Sequence, residues 1–304
     1  MPKTVIIDEN SGFCFGVINA IQTAEEYLRQ HSSLFCLGDI VHNNEEVRRL
    51  SELGLHVIAH EDFQSLHDTT VMIRAHGEPP EVYRTAAKNR VRLIDATCPV
   101  VLRLQKRIAD EYHSTPTSDK QILIYGKKGH AEVVGLLGQT DNTGIVISAA
   151  EDIGRIDFNR PAKLYSQTTQ SVEKYYELIG QIKECYRMAG HPEYFEYADT
   201  ICRKVASRAK QIAEFAARFD TILFVSGEKS SNGMYLFDIC KQYNSRSFFM
   251  TSAEQIYHLD LSKSESVGIC GATSTPMWLM REIAAICAKI CDSPDQRTVS
   301  GHSS

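Results

Sequence analysis

Three cysteines stand in closely similar surroundings in a chain that otherwise spaces its nine cysteines irregularly. Cys14, Cys98 and Cys202 each follow a strand-like run and an aspartate, in IIDENSGFC, LIDATC and YADTIC. Three thiolates that converge on one point can hold a metal group. A 4Fe–4S cluster would keep one iron open for substrate, whereas a zinc ion with an added histidine would be structural. The third alternative is that they are buried loop cysteines without a ligand.

A set of imidazole, hydroxyl and amide side chains follows other strand-like runs. Groups of these types bind phosphate oxygens through hydrogen bonds, which are strengthened by positive charge and by helix N-termini. The set consists of His42, His76, His130, Thr168, Ser230, Ser231, Asn232 and Ser274. A single loop histidine is more often solvated than a ligand, but the group together favours a phosphate or diphosphate site with pH-sensitive affinity.

The segment GHAEVVG (129–135) places His130 and Glu132 where a strand is expected to turn into a helix. Two interpretations of the carboxyl group are open. Glu132 could supply a proton in a reaction, or it could be a solvated residue at the start of a helix.

The elements that would position these residues alternate short β-branched runs with longer helical patterns. This alternation is typical of parallel sheets covered by helices. Strands are expected at TVIID, LFCL, TVMIRA, VRLID, QILIYG, GIVIS, KLYS, TILFVSG and SVGIC. Helices are expected at NAIQTAEEYLRQ, PVVLRLQKRIADEY, SVEKYYELIGQIKECYRM, VASRAKQIAEFAARF and MWLMREIAAICAKI.

The candidate residues recur with these elements in a threefold pattern. After each of the three cysteines, a strand ends in glycine with a polar residue four positions later, and a further strand ends in a small polar loop. The pattern predicts an α/β protein of three similar units with parallel sheets, arranged pseudo-threefold around a central site at the carboxyl ends of the strands. The expected units are 1–97, 98–197 and 198–292, followed by a flexible tail at 293–304.

Composition narrows the possible functions. The formal net charge of −5 over 304 residues implies no basic face for nucleic acid. The sequence contains no apolar stretch long enough to span a membrane and no signal-peptide pattern, so a cytoplasmic location is expected. It also lacks the glycine-rich nucleotide motifs, the H-E-x-x-H zinc motif and any C-x-x-C pair, which disfavours NAD, ATP, zinc-protease and thioredoxin-type functions.

Short motifs in a fixed order identify a resemblance to a known family. They are GFCFGV, GDIVHN, RAHG, DATCPVV, GHAEV, SQTT, DTIC, SSN and STP. In these the chain resembles the 4-hydroxy-3-methylbut-2-enyl diphosphate reductase family, of the LytB type, from about residue 5 to residue 290.

The resemblance implies a fold, a reaction and a role for each motif residue. Cys14, Cys98 and Cys202 would hold a 4Fe–4S cluster whose open iron binds the substrate hydroxyl, and Glu132 would supply the proton. Thr168 would position the hydroxyl end. The diphosphate would be held by His42, His76, His130, Ser230, Ser231, Asn232 and Ser274. The products would be isopentenyl and dimethylallyl diphosphate, in the last step of the methylerythritol phosphate route, with ferredoxin or flavodoxin as electron donor.

Some segments depart from the family pattern. RKVASRAK follows Cys202, GMYL follows Asn232, and Cys270 stands where threonine is common. No motif residue is lost, so the departures put helix packing and donor contacts in doubt, not the reaction. The competing hypothesis is a non-enzymatic phosphate-binding or redox-sensing protein that uses the same residues.

Overall fold

A computed structural model describes residues 4–114, 120–262 and 264–292. The chain divides into two compact units. The first unit consists of Met1–Cys14, Val41–Arg49 and Ser207–Ser304, and the second of Phe15–Ile40 and Leu50–Ala206. None of the helices in the described ranges is long and apolar enough to cross a membrane. The expected tail at 293–304 lies outside the described residues.

Strands and helices alternate along almost the whole chain. The strands are β1 (Thr4–Ile7), β2 (Leu34–Leu37), β3 (Leu55–Ile58), β4 (Thr70–Ile73), β5 (Arg92–Asp95), β6 (Gln121–Tyr125), β7 (Ile145–Ile147), β8 (Ala162–Ser166), β9 (Phe195–Tyr197), β10 (Thr221–Val225), β11 (Ser247–Met250) and β12 (Ser266–Gly271). The helices are α1 (Phe15–Leu28), α2 (Asn44–Glu52), α3 (His60–Ser65), α4 (Pro80–Lys88), α5 (Pro99–Ser114), α6 (Ala131–Gly138), α7 (Val172–Met188), α8 (Arg203–Ala216), α9 (Ser231–Tyr243) and α10 (Met277–Asp292).

Within the described ranges the strands form three parallel sheets of four strands each, which confirms the predicted α/β class. The strand orders are β3-β2-β4-β5, β7-β6-β8-β9 and β11-β10-β12-β1. All three sheets therefore have the same strand order, if β10, β11, β12 and β1 are counted as the first to fourth strands of the last sheet. In each sheet the first strand lies between the second and the third, and the fourth strand pairs with the third. The same topology in all three sheets agrees with the threefold α/β repeat expected from the sequence.

The sheet of β10, β11 and β12 takes its fourth strand from the beginning of the chain. β1 pairs with β12 in parallel, with Thr4 opposite Ser266 and Ile7 opposite Ile269. The repeat is thus circularly permuted, because β1 takes the place that β5 and β9 take in the other two sheets. The predicted unit 1–97 groups β1 with β2 to β5, whereas the hydrogen bonds join it to residues 266–269. The boundaries at 97 and 197 stay predictions.

Every strand segment expected from the sequence is a strand in the structure, but three strands were not expected. These are β3, β9 and β11, and each lies at the edge of its sheet. Edge strands pair on one side only and have a weaker apolar pattern, as in FEY of β9, where two of three residues are exposed. Hence the central strands were easier to recognise.

Apolar side chains on both faces of the sheets form the cores. In the second unit, Leu123 and Leu164 pack with α7 residues such as Tyr175 and Ile182. In the first unit, Leu223 and Ile269 belong to a second core with residues of α10. Parallel sheets require this burial of both faces, which is why central strands such as β10 are continuously apolar. The covered sheets leave their carboxyl ends as the positions for polar loops.

Candidate active site

Cys14, Cys98 and Cys202 occupy equivalent positions in the fold. Each follows the fourth strand of one sheet, which is β1, β5 or β9, and each is followed at once by a helix, α1, α5 or α8. All three side chains are half-buried. The positive end of a helix dipole favours negative charge, which suits a thiolate-bound group at these positions.

The backbone of each cysteine is fixed by the loop that follows the neighbouring third strand. The N–H of Cys14 donates to the carbonyl of Thr273 at 3.1 Å, that of Cys98 to Ala75 at 3.0 Å, and that of Cys202 to Thr168 at 2.8 Å. The acceptors follow β12, β4 and β8, so each sheet joins its cysteine to its own polar loop. This threefold contact links Cys98 to the loop of His76, and Cys14 to the loop of Ser274.

The first turn of α1 leaves no room beside Cys98. A Cβ atom added at Gly16 would lie 2.8 Å from Cys98 Sγ and 2.9 Å from its Cβ. Only glycine at this position allows the helix to approach the thiol so closely.

Among the other cysteines whose burial the structure describes, four are core residues, as is common for free cysteine. Cys36, Cys240, Cys270 and Cys287 are fully buried. Burial raises the pKa of the Cys36 thiol to about 12, so this thiol is neutral and inert. Cys185 differs from these four, since it is half-buried on α7.

Glu132 lies in the first turn of α6 and is only 2% exposed, which excludes the interpretation as a solvated helix-start residue. Thr168 holds both carboxylate oxygens. Its N–H donates to Oε1 at 2.7 Å and its hydroxyl donates to Oε2 at 2.9 Å. Burial raises the pKa of Glu132 to about 7, and the two bonds from Thr168 oppose this shift. The carboxyl group can therefore carry a proton near neutral pH.

His130 caps α6 and lies beside His76. The Nδ1 atom of His130 accepts the N–H of Glu132 at 3.2 Å, so its Nε2 atom is left to donate in the neutral ring. The rings of His76 and His130 meet edge to face with their centroids 5.4 Å apart. The second unit thus brings together His76, His130, Glu132 and Thr168.

The first unit brings together hydroxyl and amide groups at the carboxyl ends of β10 and β12. The hydroxyls of Ser230 and Ser274 lie 3.1 Å apart, and Asn232 Nδ2 donates to Thr273 Oγ1 at 3.3 Å. Ser230 also caps α9, which begins at Ser231, by accepting the N–H of Gly233. These groups surround the N-terminus of a helix, which is a common position for an anion.

His42 lies in the first unit on the loop between β2 and α2. Gly227, after β10, lies so close that an added Cβ atom would overlap the backbone of His42. The next residue, Asn43, caps α2 through its side-chain Oδ1, which accepts the N–H of Glu46 at 3.1 Å. His42, His130 and Ser230 thus lie in corresponding loops, each between the first strand of a sheet and the following helix.

Sequence reasoning missed residues that hold these loops in place. Gln167 is fully buried, and its Oε1 accepts the N–H of Lys127 in the loop before His130. Arg74 is buried against Gly38, where φ is +74°, and donates to the carbonyl of Asp39. Gln167 lies within SQTT and Arg74 within RAHG, but neither motif reveals the hydrogen-bond partner, which is distant in sequence.

Comparison with known proteins places the chain among close relatives. The family profile described as LytB protein matches residues 5–288. A protein of Bacteroides fragilis named 4-hydroxy-3-methylbut-2-enyl diphosphate reductase is 54% identical over 288 residues, which cover 94% of this chain and 98% of the relative. A protein of Phocaeicola vulgatus with the same name is 54% identical and covers 91% of this chain and 95% of its own length.

Two solved structures share the fold. The E-1-hydroxy-2-methyl-but-2-enyl-4-diphosphate reductase from Plasmodium falciparum superposes with a TM-score of 0.80 at 23% identity, over 94% of this chain and 88% of that chain. The structure of (E)-4-hydroxy-3-methyl-but-2-enyl diphosphate reductase, described as the terminal enzyme of the non-mevalonate pathway, has a TM-score of 0.70 at 30% identity. It covers 94% of this chain and 99% of its own. With a family profile matched over nearly its whole length and relatives more than half identical to it, the chain belongs to the LytB protein family.

Proposed function

We propose that the chain is a 4-hydroxy-3-methylbut-2-enyl diphosphate reductase, which removes the substrate hydroxyl to form isopentenyl diphosphate and dimethylallyl diphosphate. This is the last step of the methylerythritol phosphate route to isoprenoids. One observation carries the proposal: Thr168 bonds the buried carboxyl of Glu132 through its N–H and hydroxyl, and bonds the backbone of Cys202 through its carbonyl. A group able to donate a proton is thereby tied to a residue able to bind a metal group.

Cys14, Cys98 and Cys202 fit a 4Fe–4S cluster with three cysteine ligands and one open iron. Sulfur donors are the ligands that such clusters take, and the three cysteines occupy equivalent, half-buried positions, each directly before a helix. When bound, the cluster would supply electrons and a Lewis acid for the substrate hydroxyl.

Glu132 would protonate the departing hydroxyl. Hydroxide is a poor leaving group, so the reaction needs a proton at this oxygen for water to depart. Two electrons and a second proton complete the reaction, and protonation at either end of the allyl group gives the two products. A carboxyl group with a pKa of about 7 holds its proton near neutral pH and still releases it readily. The Thr168 hydroxyl would position the same end of the substrate.

The diphosphate would bind the imidazole, hydroxyl and amide groups at the strand ends. This set is His42, His76, His130, Ser230, Ser231, Asn232 and Ser274. Support comes from the two clusters that form within the units, the His76–His130 pair and the Ser230–Ser274 pair. The Oδ1 atom of Asn232 is buried and makes no hydrogen bond to the described residues. Rotation of this amide would present its NH₂ group to a phosphate oxygen.

An electron-donating protein such as ferredoxin or flavodoxin would complete the system in the cytoplasm. The resemblance to the family is the support for this partner and this location.

Anaerobic purification tests the function and the ligands together. We expect a brown protein that contains iron and sulfide and consumes the allylic alcohol only with a reductant.

Cys98→Ser should lose most of the iron and sulfide, while Cys185→Ser, a change at a half-buried cysteine of α7, should keep them. A Mössbauer spectrum of the wild-type protein would count the irons. A colourless protein that binds zinc would contradict the proposal, and an intact cluster in Cys98→Ser would exclude this ligand.

A further inference from the structure

One amide side chain lies on the buried face of α5. Gln105 is 6% exposed, and its Nε2 donates to the backbone carbonyl of Glu78 at 3.4 Å. The other buried residues of this helix are Val101, Leu104, Ile108 and Tyr112. Burying an amide among apolar side chains costs free energy unless hydrogen bonds in the folded protein replace those to water.

Two glycines provide the space for this amide. A Cβ atom added at Gly77 would lie 2.7 Å from Gln105 Nε2, and one added at Gly135 would lie 2.8 Å from the same atom. Gly77 also has a φ of +71°, but Gly135 lies inside α6, where alanine would be the better helix former. Glycine at 135 is therefore explained by the close approach of the amide.

The segments on either side of the amide carry the candidate catalytic and binding groups of the second unit. Gly77 follows His76 directly, and Gly135 lies one turn after Glu132. We propose that Gln105 is a positioning residue, whose amide between Gly77 and Gly135 sets the spacing of the His76 loop from α6. The ring contact of His76 with His130 depends on this spacing. The inference rests on the proposed function for the roles of these groups, but not for their geometry.

Gln105→Leu tests the role, with Gln121→Leu as the matched control. Gln121 is 8% exposed at the amino end of β6, and its amide exchanges two hydrogen bonds with the backbone of Asp157. Both substitutions remove a buried amide of the second unit, so both should lower the thermal midpoint. Only Gln105→Leu should weaken the binding of inorganic diphosphate to the iron-loaded enzyme, by about tenfold in calorimetry. It should also speed hydrogen exchange at 75–78 and 131–136.

The outcomes separate this inference from the proposed function. Equal diphosphate affinity in Gln105→Leu and wild type, or equal weakening in both variants, would overturn the positioning role. Wild-type protein that binds no diphosphate would contradict the proposed function. In that case the hydrogen-exchange data decide. Faster exchange at 75–78 and 131–136 in Gln105→Leu, but not in Gln121→Leu, supports the positioning role. Unchanged exchange in Gln105→Leu overturns it.

Gly135→Ala tests the contact of the Gln105 amide with α6 by changing the helix instead of the amide. The added methyl group should displace the amide and weaken diphosphate binding by about threefold or more, although it favours the helix. Gly180→Ala on α7, where an added Cβ atom meets nothing within 4 Å, should leave the affinity unchanged. In a Gln105→Ala background Gly135→Ala should have no further effect, and an undiminished effect there would contradict the contact.

Discussion

Burial and hydrogen bonding act in opposite directions on Glu132. Burial raises its pKa from 4.5 to about 7, and the bonds from Thr168 limit the rise. The folded protein therefore holds a proton that the unfolded chain releases between about pH 4.5 and 7, so stability falls as pH rises through this window. The free energy of unfolding should decrease there by about 3 kcal/mol from this group.

Glu132→Gln removes this dependence. We expect the variant to unfold with a smaller loss of free energy between pH 5 and 8 than wild type, as measured by urea denaturation at each pH. It should keep the cluster and lose most of its turnover, because the amide cannot donate the proton to the leaving oxygen. Normal turnover in this variant would contradict the assignment of Glu132 as the acid.

Thr168→Val should move the pH profile in a defined direction. It removes the hydroxyl that donates to Oε2 and leaves the backbone N–H, so the carboxylate loses stabilisation and the pKa of Glu132 rises further. The decline of kcat/KM with rising pH should then shift to higher pH. Thr140→Val, a change at a buried threonine whose hydroxyl donates to a backbone carbonyl, is the control. A shift to lower pH would be inconsistent with this account.

The motifs predict Glu132 and Thr168 as site residues, but not the hydrogen bonds between them. GHAEV and SQTT identify Glu132 and Thr168 from sequence, yet nothing in either motif says that the two side chains meet. Their contact follows from the pairing of β6 with β8, which places two carboxyl ends side by side. Gln105 could not be found from sequence at all, because a glutamine in an amphipathic helix is ordinarily a surface residue.

The helix that follows Cys14 begins earlier than the sequence pattern indicates. The sequence predicted the first helix from residue 19, whereas α1 begins at Phe15. Glycine in a first turn disfavours a helix, which is why the pattern placed the start too late. The missed turn is the one that approaches Cys98, which we propose as a cluster ligand.

Gly16→Ala tests whether the close approach of α1 to the Cys98 thiol is needed for the cluster. Alanine favours the helix by about 1 kcal/mol, but its Cβ atom would lie 2.8 Å from the Cys98 thiol and would displace it. We expect the iron and sulfide content to fall severalfold while circular dichroism shows unchanged helix. Gly180→Ala provides the comparison, since its methyl group meets no neighbour. Full cluster content in Gly16→Ala would show that the cluster does not depend on the close approach of α1 to Cys98.

At the scale of the whole molecule, the sequence predicted the repeat but not its permutation. Three cysteine motifs are visible along the chain, and consecutive strands are normally neighbours in a sheet. β1 is an exception, because its sheet partner β12 begins more than 250 residues later. No local pattern encodes such a pairing. It depends on contacts between the two ends of the chain, and those contacts should control the stability of the first unit.

A buried ion pair makes one of these contacts. Arg208 of α8 is 2% exposed and donates to the carboxylate of Asp8, to the hydroxyl of Ser11 and to the carbonyl of Gly271. The N–H of Gly271 in turn donates to Ser11 Oγ at 2.9 Å. The network thus joins the loop after β1 to the end of β12 and to α8, three parts of the first unit that are distant in sequence.

Arg208→Met should lower the free energy of unfolding by about 3–5 kcal/mol, because it leaves the Asp8 carboxylate buried without its cation. Urea denaturation followed by circular dichroism measures the loss. Arg187→Met, which breaks the exposed pair with Glu184 on α7, should change stability by less than about 1 kcal/mol. The double variant Asp8→Leu/Arg208→Met should recover much of the loss, since no buried charge then remains. Equal losses in the single and double variants would show that packing of the arginine stem, and not its charge, joins the chain ends.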